Sequence, residues 1–452
     1  MSMARTLLKA GTIITGTHSF TGDVLIQDGT ITEVSGSITA SAEITLDLTG
    51  RYLMPGMIDT HVHFREPGLT HKGDITTETQ AAIAGGVTTI CDMPNTIPQV
   101  LTYDILKQKQ QLYAQKSYCN FGIYMGTGKD NLDELKKADS DPTIPAFKIF
   151  MAESTGDMTL AEDRYLEPIF AETTKLIAVH AEDEQRILDR KAAFAAGTLE
   201  GAEKRDPSDP LQHALIRDNM VAALGTKHAV ELALKYQHQT HILHMSAAEE
   251  LEYLKRGKDA GLVTGETCPH YLLFSRDEIS THGGYRIMNP ALKQQKDVDA
   301  MWQAIQSGLI DHYATDHAPH LRAEKDLPYG QLPAGLPAVQ FALPLLLHWA
   351  AEGKLTLQQV VSLYAEMPAR HYGIDRKGHI AVGMDADITI VNPDTSFTIT
   401  DDQVLSKCKW SPFSGMKLTG GAVDTTIVNG TIVYQNGTFV SGPGGKTITV
   451  SR

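Results

Sequence analysis

The chain has 452 residues, 42% of them hydrophobic and 21% charged, with a formal net charge of −14. That length calls for one large domain and a smaller one, and that balance for a folded core rather than disorder. The negative sign argues against a nucleic-acid partner, and it gives no global attraction for an anionic ligand, which local cations or metals would have to capture.

Cys91, Cys119, Cys268 and Cys408 stand far apart and form no CxxC pair. This is neither a disulfide framework nor a zinc ribbon; the four read as small buried residues in a reducing compartment, so a cytoplasmic location is expected. The stretch MSMARTLLKAGTIITG lacks the continuous apolar run of a signal peptide. The most apolar late stretch, Phe341 to Ala351, is interrupted by Pro344 and His348 and falls short of the about 20 residues a bilayer needs, so no membrane partner is expected.

Taken in chain order, the first segment reads as short β-strands. DVLIQDGTITEVSG places two alternating runs on either side of Asp28-Gly29, a strong hairpin signal. The last segment has the same grammar, with TTIVNGTIVYQNG split at Asn429-Gly430. Both termini are therefore expected to build one small β-sandwich-like domain, from residues 1–54 and 374–452, around a central domain of residues 55–373.

The central part alternates strand-like and helix-like segments. Candidate strands are Ile58–Phe64, Val87–Met93, Cys119–Gly126, Ala146–Met151, Leu176–Ala181, His241–Ser246, Leu262–Thr267 and His312–Thr315, with amphipathic stretches such as Tyr103–Lys116 and Ala229–Gln237 between them. Repeated β-then-α units of this number predict an α/β fold of the (β/α)8 TIM-type barrel. An open doubly wound sheet is disfavoured because no GxGxxG turn follows the first strand.

In such barrels the site gathers at the C-terminal strand ends. His61 and His63 of DTHVHF share one face of an extended strand, His180 ends strand five, His244 ends strand six and Asp316 of ATDHAPH ends strand eight. Lys148 in AFKIFM shares a face with Ala146 and Phe150. If that face is interior, an unpaired ammonium there is costly, and reaction of the neutral amine with CO2 to a carbamate is one chemical escape. Taken jointly, these residues predict a two-metal site, and an imidazole-rich set suits Zn2+ better than Mg2+ or Ca2+. The expected arrangement places His61, His63 and Asp316 on one ion, His180 and His244 on the other, and carbamylated Lys148 between them.

These motifs resemble the amidohydrolase superfamily and, within its cyclic-amide hydrolase branch, the dihydroorotase family. The resemblance covers nearly the whole chain and is carried by PGMIDTHVHFREPG, DMPNT, the interior-lysine strand and ATDHAPH, in the family's order. It implies two Zn2+ bridged by carbamylated Lys148 and a hydroxide, with Asp316 as general base and then acid. It also implies reversible hydrolysis of (S)-dihydroorotate to N-carbamoyl-L-aspartate, a step of de novo pyrimidine biosynthesis. By the same resemblance Arg65, Asn95 and His320 hold the substrate carboxylate, a guanidinium fork being suited to one, and Asn289 contacts the ring.

Two motifs depart from the family pattern. Asn-Pro-Pro-Leu-Arg is replaced by Asn289-Pro290-Ala291-Leu292-Lys293, and Gly-Leu-Glu-Thr by Gly335-Leu336-Pro337-Ala338; both bear on ring contacts, not on metal chemistry. The segment from Leu321 to Pro337 is expected as a loop near the pocket, either a lid or a solvated connection. Rival readings are an allantoinase or a dihydropyrimidinase/hydantoinase, against which Arg65 counts, and a non-catalytic scaffold, against which the intact ligand set counts. Oligomeric state is left open.

Overall fold

A computed structural model describes residues 5–153, 158–202 and 206–451. Strands β1 (Arg5–Ile14), β2 (Ser19–Gln27), β3 (Thr30–Ser35), β4 (Ile44–Asp47) and β5 (Tyr52–Pro55) come first. The barrel strands are β6 (Met57–Val62), β7 (Val87–Asp92), β8 (Asn120–Ile123), β9 (Met125–Gly126), β10 (Phe147–Phe150), β11 (Ile177–His180), β12 (Thr240–Ile242), β13 (Val263–Thr267) and β14 (His312–Tyr313). Beyond them lie β15 (Ile388–Asn392), β16 (Phe397–Thr398), β17 (Lys417–Leu418), β18 (Ala422–Val428), β19 (Thr431–Gln435) and β20 (Thr438–Phe439).

The barrel strands pair in parallel, in the runs β6-β7-β8 and β9-β10-β11-β12-β13-β14. β8 continues through Tyr124 into β9, and a parallel bridge between Val62 and His317 joins the two open edges. The result is the expected (β/α)8 barrel. Its helices start on side-chain caps: Thr102 accepts from the Ile105 amide at the head of Tyr103–Lys116, and Asp218 from the Val221 amide at the head of Asn219–Tyr236. Each cap satisfies an amide that has no partner inside the helix.

Strands from both ends of the sequence share one nine-stranded sheet, ordered β20-β19-β18-β15-β5-β1-β2-β3 with β4 beside β1. Both sequence-predicted hairpins form. Asp28 and Gly29 (φ 52° and 79°) and Asn429 and Gly430 (φ 50° and 80°) take the left-handed pairs that fit the strand twist. The two turns abut: a Cβ on Gly430 would lie 2.6 Å from the Gly29 Cα, so neither glycine tolerates a side chain. The last residues leave this sheet and run under the barrel, where the Phe121 amide donates to the Lys446 carbonyl and the Val450 amide to the Pro142 carbonyl, each within 2.9 Å. Ile448 and Val450 pack there with Ile58, Ala146, Ala178 and Tyr372. All four cysteines are buried and free. Among the described residues no helix is long and apolar enough to cross a membrane.

Candidate active site

Three barrel strands end two or more residues earlier than the hydrophobic pattern predicts, and each ends near a site residue. β6 stops at Val62, β12 at Ile242 and β14 at Tyr313. Beyond these points Arg65, His244 and Asp316 adopt φ of 70°, 40° and 46°. A left-handed backbone costs an ordinary residue about 1–2 kcal/mol and is held only where the surroundings over-determine it. Here it turns three side chains inward over the barrel mouth.

His61, His63, Lys148, His180, His244 and Asp316 all line one cavity, together with Arg65, Asn95 and Asn289. Nε2 of His61 and of His63 lie 3.2 and 3.1 Å from Oδ1 of Asp316. Their other ring nitrogens are engaged behind: His61 Nδ1 donates to Glu266 Oε1 at 2.6 Å, and His63 Nδ1 to Asn95 Oδ1 at 2.7 Å. Both tautomers are thereby fixed with bare nitrogens facing the carboxylate, the form a cation needs.

The second imidazole pair is built the same way. His180 Nε2 donates to Glu182 Oε2 at 2.9 Å, leaving Nδ1 to face His244 Nε2 at 2.8 Å. Nδ1 of His244 is buried without a hydrogen-bond partner among the described residues. Glu182 is neutralised from behind by Arg217.

Lys148 is buried, and among the described residues its ammonium has no hydrogen-bond or ion-pair partner; it lies over the Phe150 ring, 4.5 Å from the centroid. Burial pushes this amine down to about 7, against the pull of Asp316 and Glu266. Burial likewise lowers His63 to about 4 and lowers His180 and His244, which favours the neutral form of these three imidazoles. Imidazoles with a bare nitrogen, a carboxylate and a buried amine form a donor set suited to a divalent cation.

Arg65 is buried and reaches the cavity although the chain there is not extended. Its Nε donates to the Pro319 carbonyl at 3.2 Å, and its Nη2 lies 3.0 Å from His320 Nε2. Burial lowers it only to about 10, so it stays a cation. Among the described residues no carboxylate comes within ion-pair distance of it. His320 stands behind Arg65 rather than on the cavity wall. Lys72 Nζ lies 3.2 Å from its Nδ1, and the Ala334 carbonyl 3.0 Å from its Nε2. Asn289 lines the cavity with its Oδ1 buried and unpartnered among the described residues. Lys293, in place of the family's arginine, donates to the carbonyls of Arg217 and Asp218 and so serves the scaffold.

Sequence reasoning missed the orienting carboxylates. Glu266 sits in β13, at the strand-end position that identified the histidines, and Glu182 follows His180 by two residues. Glu266 also reaches His241 Nε2 at 3.2 Å, and His241 Nδ1 is held by Thr264 Oγ1. Asp59 ties strand one to strand eight by accepting from Thr315 Oγ1 at 2.7 Å and from the Tyr364 hydroxyl at 2.9 Å.

A model of the amidohydrolase family matches residues 52–433. The chain belongs to the amidohydrolase family. Members of this family generally depend on metal, and the trio His61, His63 and Asp316 brings its donor atoms within 4.8 Å of one another. Similar proteins include a dihydroorotase of Methanosarcina acetivorans, 35% identical over 93% of this chain and 90% of that one. An allantoinase of Deinococcus radiodurans is 31% identical over 98% of this chain and 98% of its own. Among solved structures, the L-hydantoinase (dihydropyrimidinase) of Arthrobacter aurescens aligns with a TM-score of 0.91 at 28% identity, covering 98% of this chain and 99% of that chain.

Proposed function

We propose that this amidohydrolase is a dihydroorotase, interconverting (S)-dihydroorotate and N-carbamoyl-L-aspartate. The observation that carries this reading is Arg65: a buried guanidinium on the cavity wall that forms no ion pair with a carboxylate among the described residues. A buried cation in that state needs an anion from the ligand, and of the cyclic amides named among the relatives, dihydroorotate has a carboxylate to offer. The dihydroorotases among its relatives support the same choice.

In this reading His61, His63 and Asp316 hold one Zn2+, His180 and His244 hold the other, and Lys148 lies between them as a carbamate. The carbamate forms when the neutral amine attacks CO2, making an N–C bond and releasing a proton; a buried amine without partners is suited to that step. When bound, the ions polarise the amide carbonyl and lower the pKa of water from roughly 15.7 toward about 7.

The chain's own side chains supply the rest. Asp316 accepts the proton of the attacking water and returns it to the ring nitrogen as the C–N bond breaks, first base and then acid. Arg65 grips the carboxylate, with Asn95 as a further donor and His320 positioning the guanidinium from behind, so the reacting carbon is held in place. Asn289 offers its unpartnered oxygen to a ring N–H.

A second reading, an allantoinase or hydantoinase, is favoured by the allantoinase relative and by the solved hydantoinases of the same fold. Zinc-loaded enzyme assayed in parallel on dihydroorotate, allantoin, hydantoin and dihydrouracil decides between them. Turnover of dihydroorotate, and of N-carbamoyl-L-aspartate in reverse, is the expected result. Turnover of the uncharged rings alone overturns the proposal.

A further inference from the structure

The segment between Leu321 and Pro337 is neither loose nor merely solvated. It opens with the short helix Arg322–Lys325, and Lys325 at its end is buried at 1% exposure. Its Nζ donates to three backbone carbonyls: Pro333 at 2.9 Å, Ile287 at 3.0 Å and Gly335 at 3.1 Å. An ammonium has three protons, and each has an acceptor. Among the described residues no carboxylate forms an ion pair with it, which sets it apart from buried lysines such as Lys109 and Lys377. Burial pushes this amine down to about 7, and its N–H groups, set against carbonyls alone, fasten the backbone that carries them.

The fastened backbone belongs to the cavity. Ala334 and Gly335 line it, and so does Asn289, two residues beyond Ile287. The Ile287 carbonyl also accepts from the Gly335 amide at 3.0 Å, so Lys325 and Gly335 meet on one oxygen. On the other side His320 Nε2 lies 3.0 Å from the Ala334 carbonyl. Gly335 sits at φ 140°, and a Cβ there would lie 2.7 Å from the Ala318 carbonyl oxygen, so this wall is pressed flat against its neighbour.

We propose that Lys325 is a positioning residue for the substrate ring: by clamping the Ile287–Asn289 and Pro333–Gly335 segments together, it holds a fixed wall of amide groups against the edge of a planar cyclic ureide. The wall is a static part of the site, not a lid. The assignment of ring chemistry rests on the proposed function; the clamp itself does not.

The test is Lys325→Met in the zinc-loaded enzyme, compared with wild type on whichever cyclic amide the wild type hydrolyses. KM is expected to rise about 10- to 100-fold, the scale of a roughly 1 Å misplacement of a binding group, with kcat changed less and zinc content unchanged. Amide hydrogen exchange gives a readout independent of catalysis and, on wild type, of whether the variant folds. The Gly335 amide is expected to be protected nearly to the level of the barrel strands in wild type and to lose that protection in the variant. A Gly335 amide that exchanges in wild type as fast as an exposed loop overturns the clamp. So does a folded variant with unchanged KM and unchanged exchange. Failure of dihydroorotate turnover in wild type strikes only the substrate assignment, since the clamp is then read on the ring that is hydrolysed.

Discussion

Glu266 Oε1 accepts from Nδ1 of His61 at 2.6 Å, while Oε2 of the same carboxylate lies 3.2 Å from Nε2 of His241. One buried carboxylate therefore fixes the tautomer and tilt of a proposed metal ligand and anchors it to the barrel interior. Glu266→Gln keeps the volume but removes the charge. Metal affinity, measured by competition with a chromophoric chelator, is expected to fall about 10- to 100-fold, the usual cost of losing an orienting partner. Unchanged affinity would mean that the contact is only structural.

Lys148→Ala removes the proposed bridge. Metal content and turnover are expected to fall together, and zinc added to the stripped variant should give little of the thermal stabilisation seen in wild type. For wild type, saturation at about 100 times Kd is worth about 2.7 kcal/mol of folding free energy. A variant that retains two zinc ions and full turnover would rule out the carbamate.

The same lysine makes a pH prediction. Only the neutral amine reacts with CO2, and burial brings Lys148 down to about 7. As pH rises through that value the neutral fraction grows and then saturates. Reactivation of stripped enzyme by zinc at fixed dissolved CO2 should therefore accelerate with pH and level off about one unit above 7. A lysine at its ordinary value would give a rate still climbing tenfold per unit there, and that slope would count against the shift.

Arg65→Met tests recognition of the anion. KM for dihydroorotate is expected to rise about 30-fold or more, about 2 kcal/mol for a lost charge-assisted contact, while KM for an uncharged cyclic imide moves far less. Equal effects on both substrates would take Arg65 out of carboxylate binding.

The barrel was legible because its strands are short apolar runs set between helix-period segments, and both terminal hairpins were legible because Asp28-Gly29 and Asn429-Gly430 demand one turn type. The imidazoles and Asp316 were legible by their positions at strand ends. The strand ends themselves were misread by a few residues: hydrophobic alternation continues past Ile242 and Tyr313, whereas the backbone turns left-handed at His244 and Asp316. Histidine and aspartate are enriched at positive φ, but residue type does not say which of them adopts it, because it is imposed by tertiary contacts. Glu182 and Glu266 were passed over because a lone carboxylate reads as solvent-facing until its burial is known. The path of the last residues beneath the barrel was hidden for a related reason, since GKTITV has the pattern of any edge strand.

The backbone at Arg65 bears on how this site changes over generations. At φ 70° an arginine sits in a conformation that glycine or asparagine adopts at little cost. Either replacement relaxes the chain at the position proposed to capture the anion. Under that proposal, a change toward rings without a carboxylate is reachable by a single substitution that also removes backbone strain.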